Sequence, residues 1–318
     1  MAEIQAVTFP NEAGLRLFGT LHLPSTPNPA LPAVVLLSPG VKMRVGPGRL
    51  YVPLTELMNS LGYTVLRFDF HGLGDSEGEL NETMLADVYN HIEVGRYVGD
   101  TLSALRWLRE THGCKRFMLG GLCGGAITAL LAAERDRSVE SLLSLGMTVT
   151  LASNAATPAK YLTRSQLDSR RQGYYRRLLQ PKSWLRLLTF QSEYGVIWRS
   201  MKRIFIKEPP PKPAAAPTQT AIEQRGNANP LFPPAYFAFL QRGGKALMLF
   251  SEKDRLQSEY EEKFVAFHQQ QLTHYHEQID QHVIAGANHV LSFHEWRDVM
   301  IEKSRTWLAQ ARDAAPSP

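Results

Sequence analysis

Three side chains in this sequence have the chemistry to cleave an acyl bond, and each comes just after a predicted strand. Cys123 ends a short apolar run, Asp254 follows the apolar run 245–250, and His289 follows the run 282–285. A thiolate can attack a carbonyl carbon, an imidazole can carry the proton, and a carboxylate can orient the imidazole. The sequence therefore predicts a catalytic triad of Cys123, His289 and Asp254.

The surroundings of Cys123 predict a sharp turn between a strand and a helix. The pattern Gly121-x-Cys123-x-Gly125 precedes a helical run of small and apolar residues at 126–133. Glycines at these positions let the strand and the helix pass close together. At the helix N-terminus the dipole favours thiolate over thiol, and the backbone N–H of Gly124 points where an oxyanion would form. Taken alone, the pentapeptide also fits a buried, inert cysteine.

Other polar residues near these positions are assigned lesser roles. Glu252 is the alternative acid, but the spacing from the strand end favours Asp254. His294 lies on the closing helix, where packing or solvent exposure is expected. His71 follows another predicted strand, and packing is favoured over a role in the site.

The elements needed to position these side chains alternate along the chain. Strand and helix alternate over residues 33–145, which predicts crossover connections and a mostly parallel, doubly wound sheet of the α/β class. A polar–apolar alternation over residues 3–23 predicts an antiparallel hairpin at the sheet edge. The strands are predicted at 33–37, 64–70, 116–119, 139–145, 245–250 and 282–285, and the helices at 49–61, 87–111, 126–133 and from about 295.

The composition is that of a large folded domain. The 318 residues, 44% hydrophobic and 20% charged, suffice for one α/β domain with an insertion. The first nine residues lack the pattern of a signal peptide, and no apolar run approaches the ~18 residues of a membrane span. A predicted strand separates Cys114 from Cys123, so no disulfide is expected, which favours a reducing, cytoplasmic location. No His or Cys cluster has ligand spacing, so neither a metal nor an organic cofactor is expected.

The strand and helix alternation breaks after residue 150. Residues 151–207 contain twelve Lys and Arg against two acidic residues, whereas the whole chain has a net charge of +5. The stretch also holds eight aromatic residues and leads into a proline-rich connector at 208–217. We expect a mainly helical lid whose basic side favours an anionic substrate or an anionic membrane surface. A solvated basic face without a ligand is the alternative.

These patterns divide the chain into three parts. The core is predicted at 1–150 and 236–312, and the inserted basic lid with its connector at 151–235. The tail at 313–318 is small and polar, and flexibility is expected there.

At these motifs the chain resembles the α/β-hydrolase superfamily, nearly end to end. It is most similar to bacterial hydrolases associated with the exosortase A system. That likeness rests on the motifs Arg44-Val45-Gly46-x-x-Arg49-x-Tyr51-Val52-x-Leu54, Val65-Leu66-Arg67-Phe68-Asp69, Gly72-x-Gly74-Asp75-Ser76-Glu77-Gly78 and Gly121-Leu122-Cys123. The resemblance implies an α/β-hydrolase fold with an inserted lid, and a carboxyl-ester or thioester hydrolase.

The resemblance also implies roles for two loops. The backbone N–H of Val41, after the strand 33–37, would be the second oxyanion donor, although Pro39-Gly40 stands where His-Gly is usual. A plain turn at this position is the alternative. In the glycine-rich turn after the next strand, Asp75 and Ser76 would bond backbone amides.

A cysteine nucleophile narrows the implied chemistry. A thiolate leaves more readily than an amine, so activated esters, lactones and thioesters are favoured over amides. The core is also similar to dienelactone hydrolases, and the elbow and triad order to polyhydroxyalkanoate synthases. The expected partner is a small acyl substrate, with no nucleic acid. Two alternatives stay open: an acyltransferase to a hydroxyl acceptor in exopolysaccharide or lipid metabolism, and a catalytically silent binding protein.

Overall fold

The computed structural model describes residues 3–152 and 226–313. Residues 153–225 of the predicted lid and 314–318 of the predicted tail lie outside this part of the chain. The strands are β1 (Glu3–Pro10), β2 (Arg16–Leu23), β3 (Ala33–Leu37), β4 (Val65–Phe68), β5 (Phe117–Cys123), β6 (Val139–Met147), β7 (Lys245–Ser251) and β8 (Ile279–Ile284). The α-helices are α1 (Tyr51–Ser60), α2 (Leu85–Glu93), α3 (Val98–His112), α4 (Gly124–Arg135), α5 (Phe232–Gln241), α6 (Arg255–Tyr260), α7 (Ala266–Leu272) and α8 (His294–Asp313).

These strands form one sheet in the order β1-β2-β4-β3-β5-β6-β7-β8. The β1–β2 hairpin is antiparallel, as is the pairing of β2 with β4, and the other neighbours are parallel. The predicted α/β-hydrolase fold is therefore confirmed. Because parallel strands end at one edge, the ends of β5, β7 and β8 meet there although they are far apart in the chain.

The core consists of one apolar layer on each face of the sheet. Side chains of α3, α4 and α5 pack on one face, and those of α1 and α8 pack on the other. The central strand β3 is buried at every position, as expected of a strand covered on both sides. Among the described residues, no helix combines the length and the apolarity needed to cross a membrane.

Several predicted elements differ from the structure in their bounds, and the strand predicted at 282–285 is β8, Ile279–Ile284. The single helix predicted at 87–111 is two helices, α2 and α3, separated by a turn at Gly95, whose φ is +104°. The apolar stripe continues across this break, so periodicity alone does not show it; the glycine is the available signal. The strand predicted at 64–70 is β4, Val65–Phe68. Asp69 follows it, and its carboxylate binds the backbone of the neighbouring loops.

The chain leaves and re-enters the core at residues 149–152 and 226–229 as an antiparallel pair. Thr150 forms a β-bridge with Ala228. The Leu151 N–H donates to the Asn227 carbonyl oxygen at 2.8 Å, and the Asn229 N–H donates to the Val149 carbonyl oxygen at 2.9 Å. Helix α5 then begins at Phe232, four residues before the predicted core boundary at 236.

Candidate active site

The turn at Cys123 joins β5 directly to α4. The Cys123 backbone has φ 54°, a left-handed conformation that is strained for a residue with a side chain. A Cβ on Gly121 would lie 2.5 Å from the Gly125 carbonyl carbon, and one on Gly125 would lie 2.6 Å from the Leu37 oxygen. Only glycine fits at either position. The predicted strand–turn–helix is therefore confirmed.

The turn holds Cys123 at the N-terminus of α4, and its side chain is partly exposed. A Cβ on Gly124 would lie 3.1 Å from the Gly40 Cα, so the loop after β3 lies directly against the turn. Val41 follows Gly40 in that loop. The predicted oxyanion donors, the N–H groups of Gly124 and Val41, thus belong to two segments in contact, and their role in catalysis stays a prediction.

The structure brings the predicted acid and base together. Asp254 precedes α6, and His289 follows β8. The His289 Nδ1 lies 2.6 Å from the Asp254 Oδ2, and the Cys123 side chain also interacts with the imidazole. The bond to Asp254, and then the interaction with Cys123, raises the pKa of His289 to about 10. The imidazole is therefore held as a cation at neutral pH.

Backbone hydrogen bonds fix the acid loop against the base loop. The Glu252 N–H donates to the Ile284 carbonyl oxygen at 3.1 Å, and the Lys253 N–H donates to the Ala287 carbonyl oxygen at 2.9 Å. The Glu252 carboxylate accepts the Gly286 N–H at 2.6 Å. Glu252, the alternative acid, thus binds the backbone of the base loop, whereas Asp254 faces the imidazole. His294 begins α8 and is exposed.

Tyr51 is a buried residue beside the turn that sequence reasoning left without a role. Its hydroxyl donates to the Leu37 carbonyl oxygen at 2.9 Å and accepts the Leu122 N–H at 2.7 Å. The hydroxyl therefore connects the ends of β3 and β5, one residue before Cys123. The only sequence signal was its place within the Arg49-x-Tyr51-Val52 motif.

Asp69 anchors the loop that carries Val41. Its buried carboxylate accepts the N–H of Arg44 at 2.6 Å and that of Asp75 at 3.2 Å. The Arg44 guanidinium makes ion pairs with both Asp69 and Asp75. The expectation that Asp75 bonds backbone amides is therefore corrected, because its carboxylate faces a guanidinium.

Two further residues of these loops have clear contacts. The Ser76 hydroxyl accepts the Phe18 N–H at 2.9 Å, as expected of a structural turn residue. The His71 ring lies against Tyr97 at a centroid distance of 5.2 Å, and its Nδ1 lies 2.8 Å from an Asp100 oxygen. His71 is thus held in a packed position.

A second group of polar residues lies beside Cys123 and was not predicted. Tyr89 and Glu93 come from α2, and Arg255 is the first residue of α6. Burial, followed by the charges of Cys123 and Glu93, raises the pKa of Tyr89. Burial raises the pKa of Glu93 to about 7. In the described ranges, 3–152 and 226–313, no group of three or more His, Cys, Asp or Glu could hold a metal ion.

Solved structures of similar fold include hydrolases. An esterase of Pyrococcus furiosus has a TM-score of 0.57 and 14% sequence identity, covering 97% of this chain and 91% of that one. The alpha/beta hydrolase GrgF of a Penicillium species has a TM-score of 0.56 and 18% identity, covering 98% and 99%. At such identities the likeness concerns the fold.

A sequence relative and a family model complete the comparison. Palmitoyl-protein thioesterase ABHD10 of Bos taurus, a mitochondrial protein, is 28% identical over 134 residues, which are 41% of this chain and 40% of that protein. The chain thus matches less than half the length of this relative. A model of the alpha/beta hydrolase family matches residues 34–302. Because this range covers most of the sequence and includes Cys123, Asp254 and His289, the protein belongs to the alpha/beta hydrolase family.

Proposed function

We propose that the protein hydrolyses carboxyl esters or thioesters through a Cys123–His289–Asp254 triad and a covalent acyl-enzyme. One observation carries the proposal. The Asp254 carboxylate lies 2.6 Å from the His289 imidazole, and the Cys123 side chain, at the N-terminus of α4, interacts with the same ring and raises its pKa. Nucleophile, base and orienting acid are the parts that acyl transfer through a thiol requires.

In the acylation step the Cys123 thiolate attacks the acyl carbonyl carbon. The bond to the leaving group breaks, and the His289 imidazolium gives its proton to that group. In the second step the neutral imidazole takes a proton from water, which attacks the thioester and releases the free acid and the thiolate. Asp254 keeps Nδ1 in place, so that Nε2 exchanges the proton.

The tetrahedral intermediate of each step carries an oxyanion. We assign its stabilisation to the backbone N–H groups of Gly124 and Val41, which lie in the two contacting segments at the turn. A donor of this kind is typically worth about 3 kcal/mol. The positive end of the α4 dipole favours both the thiolate and the oxyanion.

Two arguments favour activated acyl bonds. The thiolate is a better leaving group than an amine, so the intermediate of an amide would return to substrate. The sequence similarity to a palmitoyl-protein thioesterase points the same way, although it covers too little of either protein to transfer a palmitoyl substrate.

The test compares Cys123→Ala and Cys123→Ser with the matched variant Cys114→Ser, which removes the other cysteine. Cleavage of p-nitrophenyl esters and acyl thioesters should fall about 10³-fold or more in Cys123→Ala and stay near wild type in Cys114→Ser. Intact-protein mass spectrometry of quenched reactions should show an added acyl group that depends on Cys123.

Iodoacetamide gives an independent readout that needs no substrate. Burial raises the pKa of the Cys114 thiol, so Cys123 should be alkylated first at neutral pH. An unreactive Cys123 and no cleavage of any substrate would contradict the proposal and favour a silent binding protein. Acyl transfer to an added alcohol in place of free acid would favour the acyltransferase alternative.

A further inference from the structure

The wall of the site next to Cys123 carries charged and hydroxylated side chains. Arg255 directly follows Asp254, whose carboxylate lies 2.6 Å from the His289 ring. A Cβ on Gly40 would lie 2.8 Å from the Tyr89 ring, and one on Gly124 would lie 2.9 Å from the Ile92 side chain, so this part of α2 packs against the turn at Cys123. The charges of Cys123 and Glu93 act on both Arg255 and Tyr89. A site built solely for a long alkyl chain would not place these groups beside its nucleophile, because uncompensated burial of polar groups is costly.

The two carboxyl groups of this wall are held inside the protein. Glu93 is 5% exposed and accepts the Ala152 N–H at 2.6 Å. Glu259 is 3% exposed and accepts the Thr150 hydroxyl at 2.9 Å. Burial and these bonds leave both carboxyl groups unable to turn toward a substrate.

The guanidinium of Arg255 is the charged group of this wall that reaches solvent. Its side chain is 52% exposed, and its Nη1 lies 2.7 Å from the Glu259 Oε1. A guanidinium carries five N–H donors, and among the described residues Glu259 is the side chain that pairs with this one. Glu259 also fixes the orientation of the group before any ligand arrives, which lowers the entropic cost of binding.

We propose that Arg255 forms an anion-binding subsite beside Cys123 and that the substrate carries a carboxylate or a phosphate on its acyl group or its leaving group. This rests on the proposed function, since it names the substrate class of the same site. A planar guanidinium pairs with either anion through two parallel hydrogen bonds. Arg255 is thus a residue of specificity, and the bond-breaking steps need only the triad.

The first arm of the test varies the acyl group with one leaving group. The succinyl and butyryl thioesters of N-acetylcysteamine have acyl chains of equal length and differ in a terminal carboxylate. The second arm keeps the butyryl group and compares N-acetylcysteamine with coenzyme A, which carries phosphates. The quantity measured is the ratio of kcat/KM values within each pair.

Arg255→Gln removes the charge, and Arg255→Lys keeps the charge without the planar group. We expect wild type to prefer the anionic member of at least one pair, and Arg255→Gln to lose about 10- to 100-fold of that preference, measured as the ratio of kcat/KM values within the pair. Arg255→Lys should retain part of it. Arg106→Gln is the matched control, because Arg106 is also 52% exposed and paired with a glutamate, Glu12.

Loss of Arg255 leaves the buried Glu259 without its guanidinium, so folding needs a separate check. The double variant Arg255→Gln/Glu259→Gln removes both charges and should show the same loss of preference with a thermal unfolding midpoint nearer to wild type. Cleavage of neutral thioesters with no anionic preference in either arm, or a preference that survives Arg255→Gln, would overturn this inference alone. Inactivity of wild type on all three substrates with an unreactive Cys123 would overturn the proposed function as well.

Discussion

At the scale of single residues, Asp254 and Glu252 have different roles because their carboxylates face different groups, although the two residues are close in the chain. Both carboxylates follow β7 within three residues. Glu252 binds the Gly286 amide, and Asp254 binds the His289 imidazole. Asp254, followed by Cys123, therefore favours the charged form of His289, and the titration of this imidazole reports on both contacts.

The pKa of His289, about 10 against an ordinary 6.5, gives a prediction with a defined sign. Because the pKa is raised in the folded chain, the bound proton stabilises the fold fully below about pH 6.5, and this stabilisation is lost as the pH rises through about 10. NMR titration of the imidazole should show it protonated at neutral pH. In Asp254→Asn its pKa should fall toward the ordinary value, with a loss in kcat of about 10³-fold or more.

The control for this titration is Glu252→Gln, which removes a charge from the same loop. Its imidazole should titrate close to wild type, because Glu252 does not contact the ring. An ordinary pKa for His289 in wild type, or equal titrations in Asp254→Asn and wild type, would contradict the assignment of the acid.

At the scale of elements, the position of Cys123 depends on how the ends of β3 and β5 are joined. Leu37 and Gly121 are the last aligned pair of these two strands. The Tyr51 hydroxyl then bonds the Leu37 oxygen and the Leu122 nitrogen, so helix α1 supplies the next connection between the strands. Both segments that flank the predicted oxyanion hole are thus held by one hydroxyl group.

Tyr51→Phe tests this positioning role. It removes the hydroxyl, keeps the ring, and leaves a buried N–H and a buried carbonyl oxygen unpaired, which costs about 1–3 kcal/mol. We expect kcat to fall about tenfold or more with little change in KM, and the pH dependence of Cys123 alkylation to shift, since the turn loses its support.

The matched variant is Tyr63→Phe. Tyr63 is also buried, and its hydroxyl donates to the Leu308 carbonyl oxygen at 3.2 Å, away from the turn. It should lose stability without the change in kcat or in the alkylation profile. If the two variants behave alike, Tyr51 only supports the fold.

The sequence could predict features that depend on local patterns, and it could not predict contacts between distant segments. The apolar runs and the glycines around Cys123 report local constraints, so the strands and the turn were predictable. Tyr51 acts through contacts with Leu37 and Leu122, which lie far away in the chain, and no periodicity or spacing records such contacts. The break at Gly95 lay hidden within a continuous apolar stripe.

At the scale of the whole molecule, sheet topology brings the segments of the three proposed catalytic residues to one edge. β5, β7 and β8 end at one edge of the sheet, while residues 153–225 lie between β6 and α5 in sequence. The β-bridge between Thr150 and Ala228 closes the core before and after that stretch. Among the described residues, the hydrogen bonds that hold the site come from the core.

A deletion that joins Ala152 directly to Gly226 tests whether the core folds without residues 153–225. The deletion leaves two residues between the paired Leu151 and Asn227, which is the commonest length of a hairpin connection. The shortened chain should keep the far-UV circular dichroism of an α/β protein and a cooperative thermal transition, because the pair at 149–152 and 226–229 is intact. Aggregation, or loss of the cooperative transition, would show that the core needs the removed stretch.

The bridge between Thr150 and Ala228 has a consequence for how such a protein can diversify. The two ends of the segment between these residues are held together by backbone hydrogen bonds of the core. Its sequence can therefore be replaced without a change in the spacing of the Cys123, His289 and Asp254 side chains. New sequence grafted between Leu151 and Asn227 should therefore leave the 2.6 Å contact between Asp254 and His289 unchanged.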